Sequence, residues 1–522
     1  MACDARPARG RVVLVGAGPG DPGLLTLHGQ RWLAAADVVV HDHLVHPRLL
    51  EHVRPEAEVI AVGQPHVAGM RLEQGAIERL LIERATRGQL VVRLKIGDPF
   101  VFGRGAEEAS ALRAAGIPFE IVPGVSAAIA VPAYAGIPVT HRAHASLVTI
   151  ATAHQAHDAD SGHAGPPALP WELLARQGGT LVFLMAVKHL EAVLAALLRH
   201  GLDPQTPAAI VERGTLGTQR TVAGTAATLA AQARAAGIRP PATLVVGSVA
   251  RLREQIAWVE RRPLLGRRIV VTRAHEQAGE LARRLEDEGA EVVVFPTIAI
   301  VPPPDAAALD AAVRRAAGYD WIVFTSVNGV RVFFDRLAAL GGDVRELAPV
   351  RIAAIGPGTA SALESRLLRP AVVAAEFRAE GVLAALATED LRGRRMLLPR
   401  AAGARSVLPA ELSARGAQVE EVVAYRAVPP PAADPGPLRK ALEAGDIDAV
   451  TFTSSSTVRH FVELLGRDVV ARVFRPGRPV VACIGPVTAA TVAELGLASD
   501  IVASEYTVPA LAAAMVAYFA PR

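Results

Sequence analysis

The chain has 522 residues, half of them hydrophobic, enough for about three or four domains with sizeable cores. A net charge of +4 suits anionic ligands, but no basic run is interleaved with aromatics, which argues against a nucleic-acid partner. Two cysteines, no apolar run of membrane-spanning length and no signal-peptide core make a cytoplasmic, multi-domain protein without membrane contact the expectation.

Residues 11–15 read as an apolar strand running into Gly16-Ala17-Gly18-Pro19-Gly20-Asp21-Pro22. This loop has the glycine density of a nucleotide turn, but its prolines break the dinucleotide fingerprint. Residues 26–36 have helical spacing. A strand at 37–41 then delivers Asp42 to a loop edge, as a candidate base or an ordinary turn cap. In VVRLKIGDPFVFGRGAEE, residues 91–108, a β-branched run alternates into Arg93, Leu94 and Lys95 and reads as a strand. Gly97-Asp98-Pro99 stops it. Gly97 lets a ligand approach the backbone, Asp98 can cap or hold a hydroxyl, and a helix opens at Ala106. Strand end, bare turn and helix start describe a small-molecule edge of an α/β sheet, or a plain βα loop.

At 122–128, VPGVSAA repeats the pattern, with small residues leaving helix N–H groups free. Residues 132–142 read as a loop carrying cationic side chains, and 154–170 as a solvated linker between two subdomains. His154, His157 and His163 in that linker fit no metal-ligand spacing. A helix at 171–177, a strand at 180–185 ending in Met185, a helix at 188–199 and strands at 208–211 and 242–247 complete the first half. Glu212-Arg213-Gly214-Thr215 follows one of these strands.

Seven blocks in one order carry a resemblance: GAGPGDPGLLTL, Asp42-x-Leu44-Val45, VVRLKIGDPFVFGRGAEE, VPGVSAA, PAYAGIPVTHR, IVERGT with QRTV, and ATLVVGSV. Together they resemble uroporphyrinogen-III C-methyltransferase, of the tetrapyrrole methylase superfamily, over residues 10–255. The resemblance implies a two-lobed α/β fold with subdomains at about 10–145 and 170–255, a homodimer through this half, and S-adenosyl-L-methionine in the cleft. By motif it implies cofactor contacts at Pro19, Ile96, Gly97, Asp98, Val101, Ser126, Ala127, Met185 and Gly214, with Asp42 as general base. A reduced pyrrole is already a carbon nucleophile, so alignment and exclusion of water matter more than a strong acid or a metal, and no metal is expected. Arg104, Arg142, Arg213 or Arg220 could meet the substrate's carboxylates. Three positions depart from the family pattern: Gln64 replaces a lysine, Ile96 a glycine, and Leu184 the tyrosine before Met185.

Residues 256–266 read as an interdomain linker, and beyond them the chain repeats itself. RRIVVTRA at Arg267 parallels RRMLLPRA at Arg394, and Gly289-Ala290 parallels Gly416-Ala417, both at an offset of 127. Proline triplets at 302–304 and 429–431 share that offset. Phe324-Thr325-Ser326 recurs as Phe452-Thr453-Ser454 at 128, and Ile355-Gly356-Pro357 as Ile484-Gly485-Pro486 at 129. Each copy alternates strands and helices as a flavodoxin-like parallel sheet does. Four hydroxyl-bearing strand ends each precede a helix. Hydroxyls and free N–H groups there would bind carboxylates or phosphates, or serve as simple N-caps.

This half, 267–522, resembles uroporphyrinogen-III synthase through VVTRA, FTSVNGV, AAIGPGTA, LLPRA, VVAYRAVPPP, FTSSSTV, CIGPVTA and EYTVPAL. The resemblance implies a bilobal flavodoxin-like fold with crossings near 302–304 and 429–431, hydroxymethylbilane as substrate, and no cofactor. Ser326, Asn328, Thr359, Ser454, Ser455 and Thr488 would contact substrate. Tyr425 falls on the family's functional tyrosine, able to hydrogen-bond the departing hydroxyl, or is a structural tyrosine at the lobe boundary. The two resemblances join into one expectation: closure of hydroxymethylbilane to uroporphyrinogen III, then two methylations to precorrin-2, upstream of sirohaem and cobalamin. Two other readings stand beside it, a methylase of a later precorrin and an inactive first half that binds or dimerises next to an active synthase.

Overall fold

The computed structural model describes residues 10–63, 73–153, 168–430, 434–475 and 478–520. Gln64, His154, His157, His163 and Pro431 lie outside the described residues. The chain divides into two compact units, Met1–Gly266 and Arg267–Arg522.

In the first unit, β1 (Arg11–Gly16), β2 (Val38–Asp42), β3 (Glu58–Val62), β4 (Leu90–Lys95) and β5 (Phe119–Val122) form a parallel sheet ordered β3-β2-β4-β1-β5. Helices cover both faces, so the central strands are nearly continuous apolar runs. Val13, Val15, Val39 and Val92 pack on one side with Leu33, and Val12, Leu14, Val40 and Val91 on the other with Leu81 and Leu112. In β4 the alternation continues into charge, and Arg93 and Lys95 are nevertheless buried.

The second sheet holds β6 (Val148–Thr152), β7 (Thr180–Leu184), β8 (Pro207–Glu212), β9 (Arg220–Thr225) and β10 (Ala242–Val246), ordered β6-β7-β10-β8-β9. Only β6 and β7 pair in parallel. The expected loop from 132 is a correction: helix Ala127–Tyr134 runs through Pro132 before it stops. Pro132 lies in the last turn, where the missing N–H disturbs little of the helix that follows.

In the second unit the strands are β11 (Arg268–Val271), β12 (Glu291–Val294), β13 (Ala299–Val301), β14 (Trp321–Phe324), β15 (Arg351–Ala354), β16 (Val372–Val373), β17 (Arg395–Ala401), β18 (Gln418–Val428), β19 (Ala449–Phe452), β20 (Val480–Cys483) and β21 (Ile501–Val502). They build two sheets, ordered β12-β11-β19-β20-β21 and β13-β18-β17-β14-β15-β16. Counted from β11 or from β17, five strands of each sheet follow the flavodoxin order 2-1-3-4-5.

Neither sheet is one sequence copy, however. The first copy places β11 and β12 in one lobe and β14 to β16 in the other, and the second copy does the reverse. The exchange happens where the chain crosses: β13 pairs antiparallel with the end of β18, Ala299 opposite Val428. Because duplicated halves present equivalent edges, each half-sheet is completed by strands of the other copy. Among the described residues, no helix is long and apolar enough to cross a membrane.

Candidate functional site

At the C-terminal edge of the first sheet, loops meet too closely for side chains. A Cβ on Gly16 would lie 2.5 Å from Gly124 Cα, and one on Gly124 would lie 2.3 Å from the Gly97 carbonyl oxygen. Gly18 and Gly97 exchange both backbone hydrogen bonds, at 3.2 and 2.8 Å, and Gly97 takes φ +67°. Asp98 ties the edge together. Its Oδ2 accepts from Gly124 N–H at 2.9 Å and its Oδ1 from Phe100 N–H at 2.8 Å. Val101 closes the same turn, its N–H donating to the Asp98 carbonyl. Ser126 caps helix Ala127–Tyr134, and the Ala127 amide is the group nearest the open side of Gly97.

The structure therefore brings together Pro19, Ile96, Gly97, Asp98, Val101, Ser126 and Ala127. Helix Ala127–Tyr134 extends the edge to the second sheet. Gly214 lies against it so tightly that a Cβ would be 2.4 Å from Val131 Cγ1. Thr215 Oγ1 accepts from Asp21 N–H at 3.0 Å, and Tyr134 Oη donates to Asp21 Oδ2 at 2.6 Å. The same helix packs on β7, beyond whose end Met185 is half-exposed with φ +55°. This arrangement offers a ligand bare backbone and apolar surface. Among the described residues, no group of three or more His, Cys, Asp or Glu could hold a metal.

Asp42, at the end of β2, connects this edge to a buried charge cluster. It pairs with Arg93, and its Oδ2 accepts from Ile96 N–H at 3.1 Å. Glu108 Oε1 accepts from Arg93 Nε at 3.2 Å and from Lys95 Nζ at 2.8 Å. Burial by itself pushes the Asp42 carboxyl up; the Arg93 and Lys95 charges, with hydrogen bonds from Arg93 and the Ile96 amide, more than reverse this and hold it below its ordinary value. Lys95 is shifted down, first by burial, then by the Arg93 charge, against the pull of Glu108. Asp42 thus caps a backbone amide and remains an ionised carboxylate at the rim.

In the second unit the predicted positions divide. Ser326 and Ser454 spend their hydroxyls as helix N-caps, accepting from Gly329 N–H at 2.9 Å and Thr457 N–H at 3.3 Å. Ser455 Oγ accepts from Thr491 at 2.7 Å, while Thr359 and Thr488 are buried in the first turns of their helices. The remaining two positions differ: Tyr425 is buried within one lobe, and Asn328 lies at the seam between lobes. Tyr425 Oη is 2.9 Å from Ser326 Oγ, and Asn328 Oδ1 accepts from Gln277 Nε2 of the other lobe at 2.5 Å. Phe377 and Tyr506, equivalent residues of the two copies, meet edge-to-face with ring centroids 6.4 Å apart. Each ring packs where a glycine, Gly356 or Gly485, has no room for a Cβ.

Residues 11–230 match the family described as Tetrapyrrole (Corrin/Porphyrin) Methylases, and residues 279–513 match Uroporphyrinogen-III synthase HemD. The chain is 37% identical over 453 residues to the porphyrin biosynthesis protein HemD of Ruminiclostridium josui, covering 87% of this chain and 88% of that protein. The chain belongs to this family of fused tetrapyrrole methylases and uroporphyrinogen-III synthases. It is also 40% identical over 358 residues to the uroporphyrinogen-III C-methyltransferase of Bacillus subtilis, covering 68% of this chain and 72% of that one. The S-adenosyl-L-methionine-dependent uroporphyrinogen III methyltransferase of Methanosarcina barkeri is 47% identical over 245 residues, 47% of this chain and 94% of that protein.

Of the arginines suggested for substrate in the methylase unit, Arg104 pairs with Glu107 at 2.6 Å and Arg220 with Glu212 at 2.5 Å, so both are engaged within the chain. Arg142 and Arg213 are exposed. The cluster of Arg93, Lys95 and Glu108 was missed by sequence reasoning, although charge at alternate positions of a β-branched strand was its visible signal. In the synthase unit, VVTRA served as a repeat marker and Arg273 within it was overlooked.

Proposed function

We propose that the synthase unit closes hydroxymethylbilane to uroporphyrinogen III with loss of water, and that the methylase unit methylates this product twice to precorrin-2. The observation that carries the reading is one relative matched over most of both chains while the two halves match families of successive chemistry. In the methylase unit, Pro19, Ile96, Gly97, Asp98, Val101, Ser126, Ala127, Met185 and Gly214 would hold S-adenosyl-L-methionine, and the bare Gly16-Gly97-Gly124 junction suits a ligand that lies against backbone. When bound, that group supplies an electrophilic methyl.

The chain's own residues then orient the pyrrole carbon, exclude water and accept a proton. Asp42 is our candidate acceptor: already ionised, it takes the proton from the strongly acidic methylated ring and passes it to solvent. In the synthase unit, Tyr425 hydrogen-bonds the leaving hydroxyl while its bond to Ser326 fixes the ring. We further propose that the chain works as a homodimer through its methylase unit; sedimentation at monomer mass would refute that part.

The test supplies hydroxymethylbilane with and without S-adenosyl-L-methionine and follows products by mass and spectrum. Uroporphyrinogen III without the donor and a dimethylated product with it are expected. Unchanged mass with the donor present overturns the methylase reading.

A further inference from the structure

The internal duplication supplies its own control. Arg273 and Arg400 stand at the same place in the two copies, just past or at the end of the first strand of each lobe's sheet. Arg400 is neutralised. Its Nη1 donates to Glu421 at 2.9 Å and its Nη2 to the Arg405 carbonyl at 2.7 Å, which fits its burial. Glu421 reaches it from β18, where it pairs with Leu398. The equivalent register in the other lobe pairs Val271 with Val294, so the carboxylate is replaced by an isopropyl group.

Arg273 accordingly forms no salt bridge among the described residues. Its Nη2 donates to Gln277 Oε1 at 3.2 Å, and Gln277 in turn donates to Asn328 across the lobe seam at 2.5 Å. Burial lowers its pKa from the ordinary value, and the Glu280 charge opposes this only in part. Glu280 lies on helix His275–Asp287, which follows Arg273, and is engaged with Arg284 at 3.3 Å. A partly buried guanidinium with no carboxylate partner among the described residues, oriented at the lobe seam, offers a carboxylate a charge-assisted, bidentate contact.

We propose that Arg273, oriented by Gln277 and Asn328, is a carboxylate subsite of the synthase unit that takes an acetate or propionate side chain of its tetrapyrrole substrate. This rests on the synthase reading above. It also gives Asn328 a role different from direct contact alone: it fixes the Gln277 amide, which fixes the guanidinium, so the subsite is complete only when the two lobes meet.

The test uses the full chain and two variants with opposite logic. Arg273→Gln removes the cation. Val294→Glu keeps it and installs the acid that neutralises Arg400 in the other copy. Ring closure is measured against hydroxymethylbilane concentration, with porphyrin isomers separated after oxidation. Both variants should raise KM by about tenfold or more with a smaller change in kcat, and Arg273→Lys should restore part of the loss.

Fluorescence quenching by uroporphyrin III, an octacarboxylate, and coproporphyrin III, a tetracarboxylate, gives a readout that a structural role would not move. The preference for the octacarboxylate should shrink in both variants where an acetate fills the subsite, and both affinities should fall together where a propionate fills it. Unchanged KM and unchanged affinities overturn the subsite. A parent chain that yields no isomer III above spontaneous isomer I overturns the synthase reading instead. If Arg273→Gln loses the fold of its unit, Val294→Glu decides the matter.

Discussion

Replacing Glu108 by glutamine isolates the charge cluster inside the methylase unit. Glu108 is fully buried, and one of its oxygens accepts from Lys95 and Arg93, each 2% exposed. The substitution keeps the shape and removes one charge, leaving two buried cations to Asp42 alone. Breaking a buried pair in this way costs about 3–5 kcal/mol, because the remaining charge stays desolvated. Lys95 sets the ceiling. Its folded pKa already lies below 10.5, and shedding its proton at pH 7 costs no more than about 5 kcal/mol, at about 1.36 kcal/mol per pH unit.

For a unit of this size the loss lowers Tm by roughly 6–20 °C. Once Lys95 is neutral in the folded variant, the unfolded chain binds one proton more, so the deficit should shrink as pH rises from neutrality toward 10.5. Scanning calorimetry of the full chain, near neutrality and about two units higher, reads both effects. Adding Lys95→Met leaves Arg93 facing Asp42, a balanced pair, and should recover most of the loss. A single variant melting within a degree or two of the parent, or a double variant no more stable than the single, refutes the reasoning.

Gly124→Ala would drive a Cβ to 2.3 Å from the Gly97 carbonyl oxygen and force two loops apart. Titration calorimetry should show S-adenosyl-L-methionine binding weakened by about tenfold or more with ring closure intact, and unchanged binding counts against the glycine edge. His46, partly buried and near Arg48, is held down to about 4, mainly by burial, and its Nδ1 accepts from Arg48 N–H. The folded chain therefore binds fewer protons than the unfolded one between about pH 4 and 6.5, and stability falls as pH drops through that window. His46→Gln should remove up to about 3 kcal/mol of that slope, read by denaturant titration at several pH values. Tyr425→Phe removes the bond to Ser326, costs only about 1 kcal/mol of stability, and should nonetheless shift product from isomer III toward spontaneous isomer I; an unchanged isomer ratio leaves Tyr425 a structural residue.

Local physics made much of this molecule legible before any coordinates. Period-two apolar strands, glycine-rich turns and hydroxyls ahead of helices are short-range features, and the offsets from 127 to 129 exposed the duplication directly. So Gly97, Asp98 and Ser126 could be named from the turn chemistry that then appears at the strand ends. Ser326 and Ser454 were legible only as a choice between ligand and cap, since one hydroxyl serves either, and their hydrogen bonds favour the cap.

What the tertiary structure decided is everything that depends on which strand lies beside which. The proline triplets mark where the chain crosses between lobes, but only the strand order and the β13–β18 pairing show which strands of each copy complete which sheet. Arg93 and Lys95 read only as alternating positions of a strand until Glu108 and Asp42 are placed around them. Arg273 and Arg400 are the same letter in the same motif. One is neutralised and the other is not, because charge compensation acts across a few ångströms of space, and a cross-strand register places Glu421 near one and Val294 near the other.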